Sequence, residues 1–145
     1  MSFGSHAWRE PRCDLTKLAM PGTIAVRYII DDVPAAVAFY TKHLGFALEL
    51  DAAPAFASVA RDGVKLHLSG DGSSGKQPLP DGRRQVAGGR NRLQLVVDDL
   101  AAEVDRLRRS GVTFRTPEIV TGPGGSQVLI DDPSGNPIEL FQPRG

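Results

Sequence analysis

The stretch "AVRYIIDDVPAAVAFYTKHLGF", residues 25–46, decides the fold because a related stretch occurs a second time in the chain. The counterpart is "RLQLVVDDLAAEVDRLRRSGVTF", residues 92–114. When the two are aligned, the Asp-Asp pairs coincide and the apolar residues that follow them coincide as well. Further on, "GVKLHL" (residues 63–68) resembles "GNPIEL" (residues 135–140), which sets His67 against Glu139. Self-similarity of this kind indicates two copies of one structural unit.

Each copy predicts a strand, a helix and three more strands. Asp32 and Asp99 are suitable helix N-caps, and Gly45 and Gly111 are suitable helix stops. The first strands are predicted at residues 24–30 and 93–97, and the later ones at 47–50, 56–60, 64–68, 112–115, 127–130 and 138–141. Asp62-Gly63 is a hairpin turn signal. The sequence therefore predicts an α+β fold made of two βαβββ modules.

The modules are predicted at residues 22–69 and 91–143. Residues 70–90 between them are rich in Gly, Ser and Pro, so they form either a mobile linker or a lid that carries Arg83 and Arg84. "TGPGGS", residues 121–126, is predicted to be a turn, because no helix follows it to complete a phosphate site.

The N-terminal arm, residues 1–21, is polar and without clean periodicity. Two explanations stay open for it: a loose native arm, or residues added ahead of a natural start at Met20.

Composition excludes several classes of protein. With 145 residues and 41% hydrophobic content, the chain can build a packed core. Its formal net charge is zero, which argues against a nucleic-acid partner. No apolar run approaches the length of a membrane span. The single cysteine, Cys13, allows no intrachain disulfide, and we predict a cytoplasmic protein.

Side chains alternate between the two faces of a strand, and one face in each module is consistently apolar. The opposite face, which we call the mixed face, is predicted to carry polar and charged side chains. Its members are Arg27, Lys65, His67, Arg92, Gln94, Glu139 and Phe141. A mixed face either meets solvent or lines a ligand cavity.

The repeat, together with "FYTKHLGF" (residues 39–46) and "DPSGNPIEL" (residues 132–140), resembles the vicinal oxygen chelate superfamily. That superfamily includes glyoxalase I, bleomycin-resistance proteins and extradiol dioxygenases. The resemblance covers residues 23–143. It implies paired modules in one chain, with sheets that curve into a partial barrel around a cavity, and a homodimer. On this basis the mixed face lines a ligand site formed by Arg27, His67, Arg92, Gln94, Glu139 and Phe141.

Metal-using members of the superfamily hold the ion with residues that correspond here to Ala25, His67, Arg92 and Glu139. Ala25 has no donor atom and Arg92 cannot ligate a cation. Since a catalytic divalent ion normally has three protein ligands, we expect no metal cofactor. Glu139 is then expected to pair with Arg92 or to bind a polar group of a ligand. The alternative is a two-ligand site at His67 and Glu139.

The leading prediction is a protein that binds a small organic molecule in a metal-free cavity, as in sequestration or drug resistance. One alternative is a divalent-metal lyase, isomerase or dioxygenase that uses His67 and Glu139. Another is a metal-free enzyme in which these two residues move protons. For that role we expect the Glu139 carboxylate to favour the His67 imidazolium, which makes His67 an acid rather than a base. Whether the protein is an enzyme stays open.

Overall fold

The computed structural model describes residues 21–145 and divides the chain into two compact units between Val86 and Ala87. That division lies inside the predicted linker. Cys13 and the two explanations of the N-terminal arm fall outside the described residues. None of the helices within residues 21–145 is long and apolar enough to cross a membrane.

The first module has the predicted element order. Its elements are β1 (Ala25–Ile29), α1 (Val33–His43), β2 (Ala47–Ala52), β3 (Phe56–Arg61) and β4 (Val64–Ser69), followed by a short 3-10 helix (Ser74–Lys76). The sheet order is β1-β4-β3-β2. β1 runs parallel to β4, while the β3–β4 and β2–β3 pairs are antiparallel. The helix after β1 supplies the crossover that a parallel pair requires.

The second module repeats this arrangement with one strand more. Its elements are β5 (Leu93–Val96), α2 (Leu100–Arg109), β6 (Thr113–Phe114), β7 (Val120–Gly122), β8 (Gly125–Asp131) and β9 (Pro137–Pro143). The sheet order is β5-β9-β8-β6, and β7 pairs with β8. The predicted α+β fold of two βαβββ modules is therefore confirmed, and neither sheet closes into a barrel within the described part of the chain.

The predicted helix boundaries are confirmed in both modules. Asp32 Oδ1 accepts a hydrogen bond from the Ala35 amide at 3.1 Å, and Asp99 Oδ1 accepts one from the Ala102 amide at 3.1 Å. Each cap satisfies an amide that has no partner inside the helix. Gly45, with φ of 72°, follows the end of α1 in the left-handed conformation that glycine adopts most easily.

Each helix covers the apolar face of its own sheet. α1 packs on β2, β3 and β4, and α2 packs on β8 and β9. The side chains between helix and sheet are almost fully shielded from water, and they include Ile30, Val33, Tyr40, Val59, Leu66, Leu68, Leu100, Leu107, Val128, Ile130, Ile138 and Leu140. Burial of these groups is the main stabilising contribution in each module. The mixed faces are the opposite faces of the same sheets.

Two segments differ from the prediction. β7 was not predicted, and "TGPGGS" is the turn of the hairpin that joins β7 to β8. The start of the predicted linker is packed on the first module, because Ser73 is buried and Lys76 Nζ donates a hydrogen bond to the Ile30 carbonyl at 3.0 Å. Lys76 also forms an ion pair with Asp71 at 2.9 Å. These contacts attach residues 70–76 to the first sheet.

Candidate functional site

Glu139 is the best-buried charged side chain of the predicted site, at 6% exposure. It lies on β9 in register with Gln94 of the parallel strand β5, so both side chains are on the mixed face. Arg92 Nε donates to Glu139 Oε1 at 2.9 Å, and Gln94 Nε2 donates to Glu139 Oε2 at 2.7 Å. The structure thus brings together three of the predicted residues, which we call the Glu139 triad.

The triad neutralises its own buried charge. A carboxylate that is removed from water needs compensating donors, and an Arg guanidinium supplies both charge and hydrogen bonds. Arg92 Nη2 also lies 2.9 Å from Glu139 Oε1, and one third of the Arg92 side chain stays exposed. The prediction that Glu139 pairs with Arg92 is confirmed.

Phe141 lies two residues beyond Glu139 on β9 and is half-buried. Its ring passes close to the backbone of Gly125, where an added Cβ atom would lie 2.9 Å from Phe141 Cζ. Gly125 therefore leaves the room that the Phe141 ring occupies on the mixed face.

The first module places a different set at the corresponding strand positions. Arg27 of β1 is in register with His67 of β4, and His67 is in register with Ser58 of β3. Residues in register share a face, so these three form a line across three strands on the mixed face. We call this line the Arg27 row. The predicted lining residues thus fall into two sets, one in each module.

The pKa of His67 is lowered from that of a free imidazole. Burial lowers the pKa of His67, the positive charges of Arg27 and Lys65 lower it further, and Glu49 opposes them. The sequence-based expectation that the Glu139 carboxylate would favour the imidazolium was wrong in direction, because burial and then the charges of Arg27 and Lys65 outweigh the carboxylate of Glu49. His67 therefore fits a hydrogen-bond acceptor or a base better than an acid.

Two polar atoms of the Arg27 row have no hydrogen-bond partner. His67 Nε2 and Ser58 Oγ are shielded from solvent, and neither contacts a donor or acceptor within residues 21–145. Phe56 packs against the His67 ring in an edge-on geometry, with 5.4 Å between ring centroids. A buried polar atom without a partner is uncommon and requires a physical explanation.

Sequence reasoning missed Ser58 and Glu49. Ser58 could have been found, because the two-residue turn at Asp62-Gly63 sets the register that places Ser58 opposite His67. Glu49, whose carboxylate lies 2.6 Å from Lys65 Nζ, could not. A register shift between Leu48 and Leu50 breaks the strict alternation of faces in β2, and no feature of the sequence marks it.

The residues at the four metal-ligand positions do not fit a divalent ion. Ala25 has no donor, Arg92 is a permanent cation, and both Glu139 oxygens already accept hydrogen bonds. Within residues 21–145, no group of three or more His, Cys, Asp or Glu side chains is placed to hold a metal. The donor set therefore falls short of the three protein ligands of a catalytic divalent site.

Comparison with solved structures supports the fold. Lactoylglutathione lyase from Agrobacterium tumefaciens is 23% identical, with a TM-score of 0.65 and coverage of 86% of this chain and 96% of that chain. TnmS3, an antibiotic binding protein from Streptomyces sp. CB03234, is 29% identical, with a TM-score of 0.61 and coverage of 87% of this chain and 98% of that chain. A member of the Glyoxalase/bleomycin resistance protein/dioxygenase superfamily from Sphaerobacter thermophilus DSM 20745 is 26% identical, with a TM-score of 0.60. It covers 81% of this chain and 94% of that chain.

No curated protein matches the chain in sequence at a significant level. The family model described as Glyoxalase/Bleomycin resistance protein/Dioxygenase superfamily matches residues 23–140, which include both modules and every predicted site residue except Phe141. Taken with the repeated βαβββ topology, this match shows that the chain belongs to the Glyoxalase/Bleomycin resistance protein/Dioxygenase superfamily.

Proposed function

We propose that this protein binds a small organic molecule on its mixed faces without a metal ion and releases it unchanged, as a sequestering protein. The observation that carries the proposal is the Glu139 triad, in which the one carboxylate at a metal-ligand position is bonded to Arg92 and Gln94. A divalent ion at Glu139 would have to displace a guanidinium and would then be repelled by it.

The similarity to an antibiotic binding protein supports the binding of a small organic molecule, since that structure is 29% identical over 87% of this chain. The mixed faces also supply the kinds of group that small-molecule sites use, namely a few oriented polar groups beside aromatic walls. The homodimer and the cytoplasmic location stay predictions.

The first experiment is a metal titration. The protein is purified without a chelating tag, incubated with zinc, manganese, nickel or iron(II), desalted and analysed for metal content. We expect far less than one equivalent of every metal. About one equivalent, lost in Glu139→Gln, would contradict the proposal and favour a metal-dependent lyase, isomerase or dioxygenase.

The second step is a thermal-shift screen against antibiotics and other drug-sized aromatic compounds. A compound that raises Tm is then incubated with the protein, recovered and analysed by mass spectrometry. We expect recovery of the unchanged compound.

One observation favours a second candidate, a metal-free enzyme. His67 Nε2 is buried and unpartnered, and the pKa of His67 is lowered by burial, so a neutral imidazole is available as a base. The same recovery experiment distinguishes a sequestering protein from an enzyme. Chemical change of the compound by the wild-type protein, absent in His67→Gln, would establish the enzyme.

A further inference from the structure

The two modules differ in how their mixed faces balance charge. In the second module the Arg92 cation is paired with Glu139. In the first module Lys65 is paired with Glu49, but no carboxylate within residues 21–145 forms an ion pair with Arg27. The Arg27 guanidinium donates a hydrogen bond to a neutral group, Ser69 Oγ, at 2.7 Å. The first mixed face thus has one cation with no anionic partner.

Arg27 is held in place on this face. Besides the Ser69 hydrogen bond, its guanidinium lies against Gly75 of the 3-10 helix, where an added Cβ atom would meet Arg27 Cδ at 2.7 Å. The absence of a side chain at Gly75 lets the helical turn approach the Arg27 side chain. Arg27 nonetheless remains exposed to solvent. A cation that is oriented in advance and accessible binds an anion with little loss of side-chain entropy.

The unpartnered atoms lie in the same row. Within residues 21–145, Ser58 Oγ and His67 Nε2 each lack a hydrogen bond, and leaving a buried polar atom unpaired is destabilising. A hydrogen-bonding group of a ligand that enters the row would satisfy both atoms. A neutral imidazole and a hydroxyl can both accept and donate, so they tolerate an acidic group in either protonation state.

We propose that the Arg27 row binds the acidic group of the ligand, a carboxylate or an ionised phenol, carried on a flat apolar body that contacts Phe56. This inference rests on the proposed function and names the ligand class for it. Arg27 supplies the charge, and Ser58 and His67 supply hydrogen bonds. A monoanion fits better than a phosphate, because the row offers one uncompensated cation.

The test uses two probes of nearly the same shape, the anionic 4-fluorobenzoate and the neutral 4-fluorobenzamide, and measures their Kd values by fluorine NMR on the full chain. We expect the acid to bind about tenfold more tightly than the amide, the ratio that one charge-assisted hydrogen bond produces. In Arg27→Gln the ratio should fall to about one, because Arg27 supplies the positive charge that favours the acid over the amide.

Arg61→Gln is the matched control. Arg61 belongs to the same sheet, but it is in register with Val64 on the helix-facing side and donates to the Leu44 carbonyl at 2.8 Å. This variant loses the same charge and should keep the tenfold ratio. Ser58→Ala should weaken binding of both probes severalfold and leave their ratio near tenfold, because the hydroxyl can hydrogen-bond either a carboxylate or an amide.

Three results would overturn the inference: equal binding of the two probes, binding of neither probe, or a preference for the acid that survives Arg27→Gln. Equal binding would leave the binding of organic molecules intact, so the proposed function would stand. One equivalent of bound metal would instead overturn the proposed function. Failure of this inference and failure of the proposed function therefore give different results.

Discussion

In the second module Arg92, Gln94 and Glu139 satisfy one another, whereas in the first module Arg27, His67 and Ser58 lie in one row without an acidic partner among the residues that the structure describes. The two sets occupy related strands of the same βαβββ topology. The backbone is therefore nearly repeated while the chemistry of the mixed face is not. The difference indicates that two copies of one topology can balance charge differently, one through an internal carboxylate and the other without one in the described part of the chain.

The helix-facing sides of the two sheets provide the reference for this comparison, because there the modules are alike. Leu68 and Leu140 occupy matching repeat positions, and both are almost fully buried. We expect Leu68→Ala and Leu140→Ala each to lower the free energy of unfolding by about 3 kcal/mol, through lost burial and the cavity left behind. Guanidinium denaturation followed by circular dichroism measures both losses. A loss below about 1 kcal/mol in one variant alone would show that the two cores are not equivalent.

The mixed faces should respond unequally when an arginine is removed. Arg92→Leu leaves the Glu139 carboxylate buried with Gln94 as its remaining partner, and we expect a loss of about 2 kcal/mol in the free energy of unfolding. This value is below that of a fully buried pair, because one third of the Arg92 side chain is exposed. Arg27→Leu removes a cation that has no acidic partner in the described part of the chain, and should cost less than about 1 kcal/mol.

The control for this pair is the double variant Arg92→Leu/Glu139→Leu. It also removes the Glu139 carboxylate that Arg92→Leu leaves without a cation, so it should recover part of the stability lost in Arg92→Leu. Equal losses in Arg92→Leu and Arg27→Leu would contradict the charge balance described for the two modules.

The smallest expected effect is the contribution of His67 to the pH dependence of the free energy of unfolding. Because the pKa of His67 is lowered by burial and by Arg27 and Lys65, the unfolded chain takes up a proton at higher pH than the folded one. The free energy of unfolding should therefore decrease as pH falls from above 6.5 towards the lowered pKa. The slope stays below the limit of about 1.4 kcal/mol per pH unit, since the unfolded and folded states differ at His67 by less than one bound proton.

Denaturation at several values between pH 7.5 and pH 5 measures this slope. His67→Gln should remove the His67 contribution and leave that of the other titrating groups. An identical slope in the variant would show that His67 does not titrate differently in the folded state.

Local chemistry explains what was predictable about the fold. Asp32 and Asp99 cap their helices through adjacent amides, and the turn at Asp62-Gly63 sets the register of β3 and β4. Each of these features depends on residues a few positions apart, so the sequence displays it directly. The pairing of Arg92 with Glu139 was also predictable, because the resemblance placed both residues at metal-ligand positions and a buried carboxylate needs a cation.

Features that depend on distant strands were not predictable. β7 is short and exposed, with no apolar alternation to mark it, and it forms because β8 offers it an open edge. The contact between Glu49 and Lys65 depends on a register shift in β2.

By itself, then, the sequence determined the duplicated βαβββ topology, the helix ends and the positions of the site residues along their strands. Only the tertiary structure decided which charges on the mixed faces are neutralised, that the pKa of His67 is lowered, and that Ser58 Oγ and His67 Nε2 have no hydrogen-bond partner within residues 21–145. The physical reason is that topology follows from local propensity and periodicity, whereas burial and electrostatics depend on which distant side chains share a face.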